Sequence, residues 1–116
     1  MTTSSKRSRW SDMYPGFPTA KAIRLLHGAP ASARVSLYRY APGEESRGRS
    51  RSARFYVLAG SCIVRAPDDL VLREGDILEL AGGDYSLKAD DELGATCVWA
   101  WELPEEFRTK VAPGRE

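Results

Sequence analysis

The chain is poor in the residues that most often carry chemistry, with one histidine and two cysteines in 116 residues. A single histidine, His27, excludes sites that need several imidazoles and disfavours histidine-based acid–base catalysis. Cys62 and Cys97 are too few for a disulfide framework, and each lies in an apolar run where cysteine behaves as a small hydrophobe. We therefore expect reduced thiols and a cytoplasmic protein, with a Cys62–Cys97 bridge as the less favoured alternative.

Long apolar segments are also missing, since no run approaches the roughly 20 residues that span a bilayer. The basic N-terminus, MTTSSKRSRWSD, has no apolar segment behind it and does not match a secretory signal. The length and the 42% hydrophobic content fit one domain with one modest core. We expect a flexible basic arm over residues 1–12, the folded domain over 13–104 and a tail over 105–116.

The small net charge of +1 hides a division along the chain. Residues 1–65 carry a net +9 and residues 66–106 a net −10. If the two halves form neighbouring strands, these charges neutralise one another. The densest basic cluster, residues 47–54, has no interleaved aromatic side chains, so nucleic acid is not an expected partner.

Short β-branched and aromatic runs, separated by turn residues, predict an all-β antiparallel sandwich or barrel. The predicted strands are Arg34–Tyr40, Phe55–Leu58, Ser61–Arg65, Leu70–Arg73, Ile77–Leu80, Tyr85–Lys88 and Thr96–Leu103. The segment Thr19–Leu26 fits either a short helix or an extended edge segment.

The order of strands and turns resembles that of the cupins, which are small jelly-roll β-barrels. The resemblance rests on Phe55–Gly60, Leu72–Asp76 and Leu80–Gly83, and it covers roughly residues 34–103. It implies a single small cupin-like jelly-roll barrel with an extended N-terminal segment. It also implies pairing of two copies through their sheets, so a homodimer is expected.

Both cupin metal motifs have lost their ligands in this sequence. The second motif, G-x5-P-x-G-x2-H-x3-N, begins at Gly75 and places Ser86 at its histidine position. The first motif, G-x5-H-x-H-x3/4-E-x6-G, has two possible registers. Counted back from Gly60, it places Arg47 and Arg49 at the histidine positions and Ala53 at the glutamate position.

Counted forward from Gly43, the first motif places Arg49 and Arg51 at the histidine positions, with Phe55 or Tyr56 for the glutamate. Arginine stays protonated in proteins and repels a cation. We therefore expect no metal and no other cofactor, whichever register holds.

The arginine run supports two interpretations. Arg47, Arg49 and Arg51 alternate with small residues, so in a strand they share one face. In the register from Gly60 that face points into the barrel, where each guanidinium needs a carboxylate or an anionic ligand. The alternative is a solvated loop over Glu44–Ser52 with its arginines in water.

Other strand residues complete the candidate site. Trp99 and Trp101 share one face of the last predicted strand, and Ser86 shares a face with Lys88. The candidate ligand-binding residues are Arg47, Arg49, Phe55, Ser86, Lys88, Trp99 and Trp101. The weaker candidates for acid–base groups are Tyr56, Glu79 and Tyr85. We expect His27 at the surface or in a turn.

The favoured function is that of a metal-independent cupin-type protein that binds a small organic, anionic molecule in the barrel. One alternative is a metal-free isomerase, cyclase or lyase that uses tyrosine, glutamate or lysine as acid–base groups. The other is a regulatory or structural interaction domain that acts as a dimer.

Overall fold

The computed structural model describes residues 5–27, 33–65 and 69–102. Over these ranges the chain forms eight strands and two short helices. In chain order they are β1 (Ser5–Arg9), α1 (Trp10–Met13), α2 (Ala20–Leu26), β2 (Ala33–Tyr40), β3 (Glu45–Ser50), β4 (Ala53–Arg65), β5 (Asp69–Arg73), β6 (Asp76–Leu80), β7 (Gly83–Ala89) and β8 (Ala95–Glu102). Neither of these helices has the length and apolar character needed to cross a membrane.

Two antiparallel sheets share the long strand β4. Its first half lies between β8 and β6 in sheet A, whose order is β2-β8-β4-β6-β1. Its second half lies between β5 and β7 in sheet B, whose order is β5-β4-β7-β3. A register shift between Val57 and Ala59 marks the bend between the halves. Within the described ranges β2 and β3 do not pair with each other, so the sheet is not closed.

Two glycines meet where the turn between β7 and β8 crosses the bend of β4. Gly60 and Gly94 both have left-handed backbones, with φ of 75° and 67°. A Cβ on Gly60 would lie 2.1 Å from the carbonyl oxygen of Gly94, and one on Gly94 would lie 2.5 Å from that of Tyr40. The close approach of these backbones therefore requires glycine at both positions.

Side chains on the inner faces of the two sheets form the main core. Phe55 and Val57 of β4 point inward, and so do Cys97 and Trp99 of β8. Cys62 and Cys97 are free, buried thiols. The hydrogen bond to Cys62, together with burial, raises the pKa of the Cys97 thiol. This thiol therefore stays protonated at neutral pH.

A second core covers the outer face of sheet A. The N-terminal helices place Trp10 and Ile23 against Tyr56, Ile77 and Val98, which are the outward residues of β4, β6 and β8. Sheet A is therefore apolar on both faces, which hides the simple alternation expected of a strand with one wet face.

The strand predictions are confirmed over the described residues, and β4 joins two of them into one strand. Its two predicted parts, Phe55–Leu58 and Ser61–Arg65, belong to different sheets on either side of Gly60. The ambiguous segment Thr19–Leu26 contains α2, and Thr19 Oγ1 caps this helix by accepting from Ala22 N at 3.0 Å.

Two expectations for basic segments are wrong. Ser5–Arg9 pairs with β6, and Arg9 Nη1 donates to buried Asp76 at 2.5 Å, so this segment is a strand rather than a flexible arm. The segment Glu44–Ser52 is not a loop, because β3 pairs with β7 over most of its length, but its arginines do face water, as that alternative expected. Residues 1–4 and the expected tail over 105–116 lie outside the described residues.

Candidate functional site

An aromatic cluster occupies the inner faces of the two sheets beside the open edge between β2 and β3. Its members are Tyr38, Tyr40, Phe55, Tyr85, Trp99 and Trp101. Phe55 and Trp99 are 0% and 1% exposed, whereas Tyr38 is 41% exposed. The rings of Tyr85 and Trp101 are half-buried. The aromatic cluster therefore runs from the packed core to solvent.

Ring contacts and one buried hydrogen bond hold this cluster together. The Trp99 and Trp101 rings stack, with centroids 5.4 Å apart and planes 3° apart, and Tyr38 meets Trp101 edge to face at 6.1 Å. Trp99 Nε1 donates to the Tyr40 hydroxyl at 3.0 Å. Aromatic rings fixed by such contacts form a preorganised surface for a flat ligand.

Two hydroxyls of the cluster, those of Tyr40 and Tyr85, are protonated at neutral pH. Burial raises the pKa of Tyr40 to about 12, against the lowering effect of the hydrogen bond from Trp99. Burial likewise raises the pKa of Tyr85. These hydroxyls can therefore donate hydrogen bonds to a ligand, but they are not tuned to act as bases.

The strand facing β2 across the open edge carries small inward residues. Ser46 and Gly48 of β3 pair with Leu87 and Tyr85 of β7, so all four belong to the inner face of sheet B. The Tyr85 ring lies over Gly48, where an added Cβ would be 3.4 Å from it. Small side chains at this wall leave the edge of the aromatic cluster uncovered.

One exposed cation lies on the same face as the cluster. Arg34 is directly opposite Trp101 in the pairing of β2 with β8, and directly opposed residues share a face of the sheet. Arg34 is exposed. The open edge between β2 and β3 therefore combines an aromatic surface with a guanidinium. Neither Arg34 nor Tyr38 is among the candidate site residues that the sequence predicts.

The structure divides the predicted ligand-binding residues into two groups. Phe55, Trp99 and Trp101 belong to the aromatic cluster on the inner faces. Arg47 and Arg49 are exposed on the outer face of sheet B, opposite Ser86 and Asp84. The inward orientation expected from the register at Gly60 is therefore wrong, because Ser46 and Gly48 take the inward positions of β3.

Three of the outward candidates nevertheless lie together on this face. Arg47, Ser86 and Lys88 line a groove of about 330 Å³ on the outer face of sheet B, which we call the outer groove. Arg65 and Ile63 of β4 also line it. Arg49 is not part of this lining and lies 3.8 Å from Asp84.

The three acid–base candidates do not converge. Tyr56 and Glu79 lie on the outer face of sheet A, where Arg54 is 3.4 Å from Glu79. Tyr85 lies on the inner face of sheet B. Burial also raises the pKa of Tyr56, so its hydroxyl stays protonated at neutral pH and is not available as a base. These three side chains therefore cannot act together on one substrate.

The structure shows a role for His27 that the sequence did not reveal. His27 lies in the turn at the end of α2, as expected, and a 2.7 Å hydrogen bond joins its Nε2 to the hydroxyl of Tyr56, which is 0% exposed. This polar contact fixes the end of α2 to the outer face of sheet A. Only the tertiary fold brings these residues together.

The pKa of His27 predicts a loss of stability in acid. Burial, and to a smaller extent the charge of Arg54, lower the pKa of His27 below its ordinary value of 6.5. The unfolded chain then binds the proton more tightly, so this stabilisation is present above about pH 6.5 and declines as the pH falls from there toward the folded pKa. Urea unfolding at pH 7.5 and pH 5.5 measures the decline.

The matched control is His27→Gln, which cannot titrate. We expect its free energy of unfolding to depend less on pH over this interval than that of the wild type. Parallel pH profiles for the two proteins, or a wild type that gains stability in acid relative to the variant, would contradict the assigned contact.

The metal that cupins commonly hold does not fit the described residues. Among residues 5–27, 33–65 and 69–102, no three His, Cys, Asp or Glu side chains are grouped so that they could hold a metal ion. His27 lies on the outer face of sheet A, away from the inner faces. The inner face instead offers phenol hydroxyls of raised pKa and apolar rings, which are poor ligands for divalent metals.

Comparison with solved structures supports a cupin-like fold. The chain aligns with the plu4264 protein of Photorhabdus luminescens over 93% of this chain and 80% of that one, at 15% identity and a TM-score of 0.57. It aligns with salicylate 1,2-dioxygenase of Pseudoaminobacter salicylatoxidans, in complex with gentisate, over 62% of this chain at 21% identity and a TM-score of 0.53. It also aligns with a Streptococcus pyogenes protein of unknown function over 63% of this chain and 67% of that one, at 19% identity and a TM-score of 0.52.

The structural likeness concerns the fold alone. The chain spans 20% of the salicylate 1,2-dioxygenase chain that it matches. No family model and no curated protein matches the sequence. The protein therefore has a cupin-like fold, with an open sheet and an aromatic inner edge.

Proposed function

We propose that this protein is a metal-independent cupin-type protein that binds a small, planar organic anion at the open edge between β2 and β3. The observation that carries the proposal is the aromatic cluster, which is rigid inside and exposed at Tyr38. An ordered aromatic surface that is partly open to water is typical of a ligand-binding groove or of a contact with another protein.

The expected ligand follows from the groups around the cluster. The faces of Tyr38 and Trp101 favour a flat ring, and the nearby Arg34 favours a carboxylate, whose two oxygens match its paired donors. Phe55 and Trp99 fill the centre between the sheets, at 0% and 1% exposure, which favours a site at the edge of the cluster. The ligand class is therefore aromatic carboxylates bound at the edge rather than in the centre of the fold.

Replacement of Tyr38 by alanine is expected to weaken binding of benzoate or gentisate by roughly fivefold, the equivalent of losing one aromatic contact of about 1 kcal/mol. Isothermal titration calorimetry measures the Kd, and a chelator in the buffer should leave it unchanged. Since Tyr38 is 41% exposed, the variant should fold.

Leu37→Ala is the matched control. Leu37 is the next residue of β2, is 38% exposed and belongs to the opposite face of the sheet. Its removal should leave the Kd unchanged. Equal effects of the two variants, a loss of binding with the chelator, or no saturable binding by the wild type would each refute the proposal. The last result would favour a role as an interaction domain.

A further inference from the structure

The outer groove carries a second set of ligand-type side chains that the proposed function does not use. It lies on the outer face of sheet B, whereas the aromatic cluster lies on the inner faces. The pairing of the strands sets its arrangement. Arg65 of β4, Ser86 of β7 and Arg47 of β3 are directly opposite one another in a single row across three strands.

This row places one hydroxyl between two guanidiniums. Neighbouring strands lie about 4.8 Å apart, so both arginines reach the space above Ser86. Lys88 follows Ser86 by two residues and is on the same face of β7. A group held above Ser86 would therefore meet three positive side chains and one hydroxyl. Two carboxylates, those of Asp69 and of Glu45, which is opposite Lys88, also line the groove, so its lining keeps one net positive charge.

The charged neighbours leave these donors available. Asp69 accepts from Arg65 Nε at 2.5 Å and from Nη2 at 3.2 Å, which uses two of the five guanidinium N–H groups and fixes the orientation of the rest. Lys88 Nζ is 3.5 Å from Asp91, at one side of the groove. Within the described ranges Arg47 has no ion-pair partner.

An apolar strip lies beside this row. Ile63 lines the groove and pairs with Val71 in the next row of the sheet, and the two are 43% and 56% exposed. Exposed β-branched side chains beside a polar row give the surface an apolar half. The ligand that matches both halves is an oxyanion with a small apolar substituent.

We propose that the outer groove binds the phosphate group of a small phosphate monoester, with the phosphate above Ser86 between Arg47 and Arg65 and the organic part on Ile63. Phosphate fits better than carboxylate because it carries up to two negative charges and accepts hydrogen bonds from three directions at once. This site is separate from the one under the proposed function, and either can fail without the other.

The test titrates the full chain with inorganic phosphate and then with phenyl phosphate, followed by the backbone amide signals of Arg47, Ile63 and Ser86 in NMR spectra. Saturable shifts at Arg47 and Ser86 are expected with both probes, and tighter binding with phenyl phosphate, whose ring adds shifts at Ile63. Binding should weaken as salt is added, since the groups are exposed.

Arg47→Gln should raise the Kd for phenyl phosphate at least fivefold. The matched control is Arg49→Gln, which removes the same charge from the same face of β3 but lies outside the groove lining. It should change the Kd less than twofold. Equal effects of the two variants would mean general attraction to a basic surface and would overturn the proposal, as would unsaturable shifts or shifts confined to Tyr38 and Trp101.

Discussion

Replacing Gly60 by alanine is expected to lower the free energy of unfolding by more than about 3 kcal/mol. The loss is large because the new side chain would be strained by the left-handed backbone and would also clash with a neighbouring strand connection. The new Cβ would lie 2.1 Å from the carbonyl oxygen of Gly94, which is backbone and cannot rotate away. Relief requires the turn before β8 to move away from the bend of β4. Urea unfolding followed by circular dichroism measures the loss.

Gly16→Ala separates the clash from the backbone conformation. Gly16 has a φ of 74°, against 75° for Gly60, but a Cβ there would meet nothing within 4 Å. We expect a loss of about 1 kcal/mol, from the left-handed conformation alone. Similar losses in the two variants would contradict the close packing of the corner.

Trp99→Ala should cost about 3–5 kcal/mol, because the side chain is 1% exposed and its loss leaves a large cavity. It removes the ring that contacts Phe55, Tyr85 and Trp101. The same variant should also lose binding of aromatic carboxylates, since Trp101 would no longer be held in place.

Tyr40→Phe tests the buried hydrogen bond separately from the volume. It removes the acceptor for Trp99 Nε1 and leaves that donor unsatisfied, at an expected cost of about 1–2 kcal/mol. Denaturant unfolding of both variants should therefore rank Trp99→Ala well below Tyr40→Phe in stability. A loss of less than about 1 kcal/mol in Trp99→Ala would show that Trp99 does not fill the core as described.

Much of the fold follows from local sequence patterns. Alternation along β8 correctly puts Trp99 and Trp101 on one face, and turn residues such as Gly75 and Gly94 mark where strands end. The same alternation could not tell which face of β2 is inside. Val35 is packed against the second core under the helices, while Tyr40 is in the main core, so both faces of the strand bury apolar side chains.

The candidate site was predicted only in part, for two physical reasons. Counting positions in a motif predicts which face of a strand a residue occupies only if no residue is gained or lost in the turns. A gain or loss of one residue moves Arg47 from the inner face to the outer face. The contact between His27 and Tyr56 joins a helix end to a distant strand, so no local pattern encodes it. Arg34 was not predicted as a site residue because its position beside Trp101 depends on the pairing of β2 with β8.

The most direct test of the central claim is a titration of the wild-type protein with gentisate, followed by the three indole N–H signals in NMR spectra. Trp99 and Trp101 lie in the aromatic cluster, whereas Trp10 lies in the second core on the other side of sheet A and serves as an internal control. We expect the Trp101 signal to shift most, that of Trp99 to shift less, and that of Trp10 to stay in place. Saturating shifts at Trp10 alone, or no saturable shift at Trp101, would contradict a binding site at the open edge between β2 and β3.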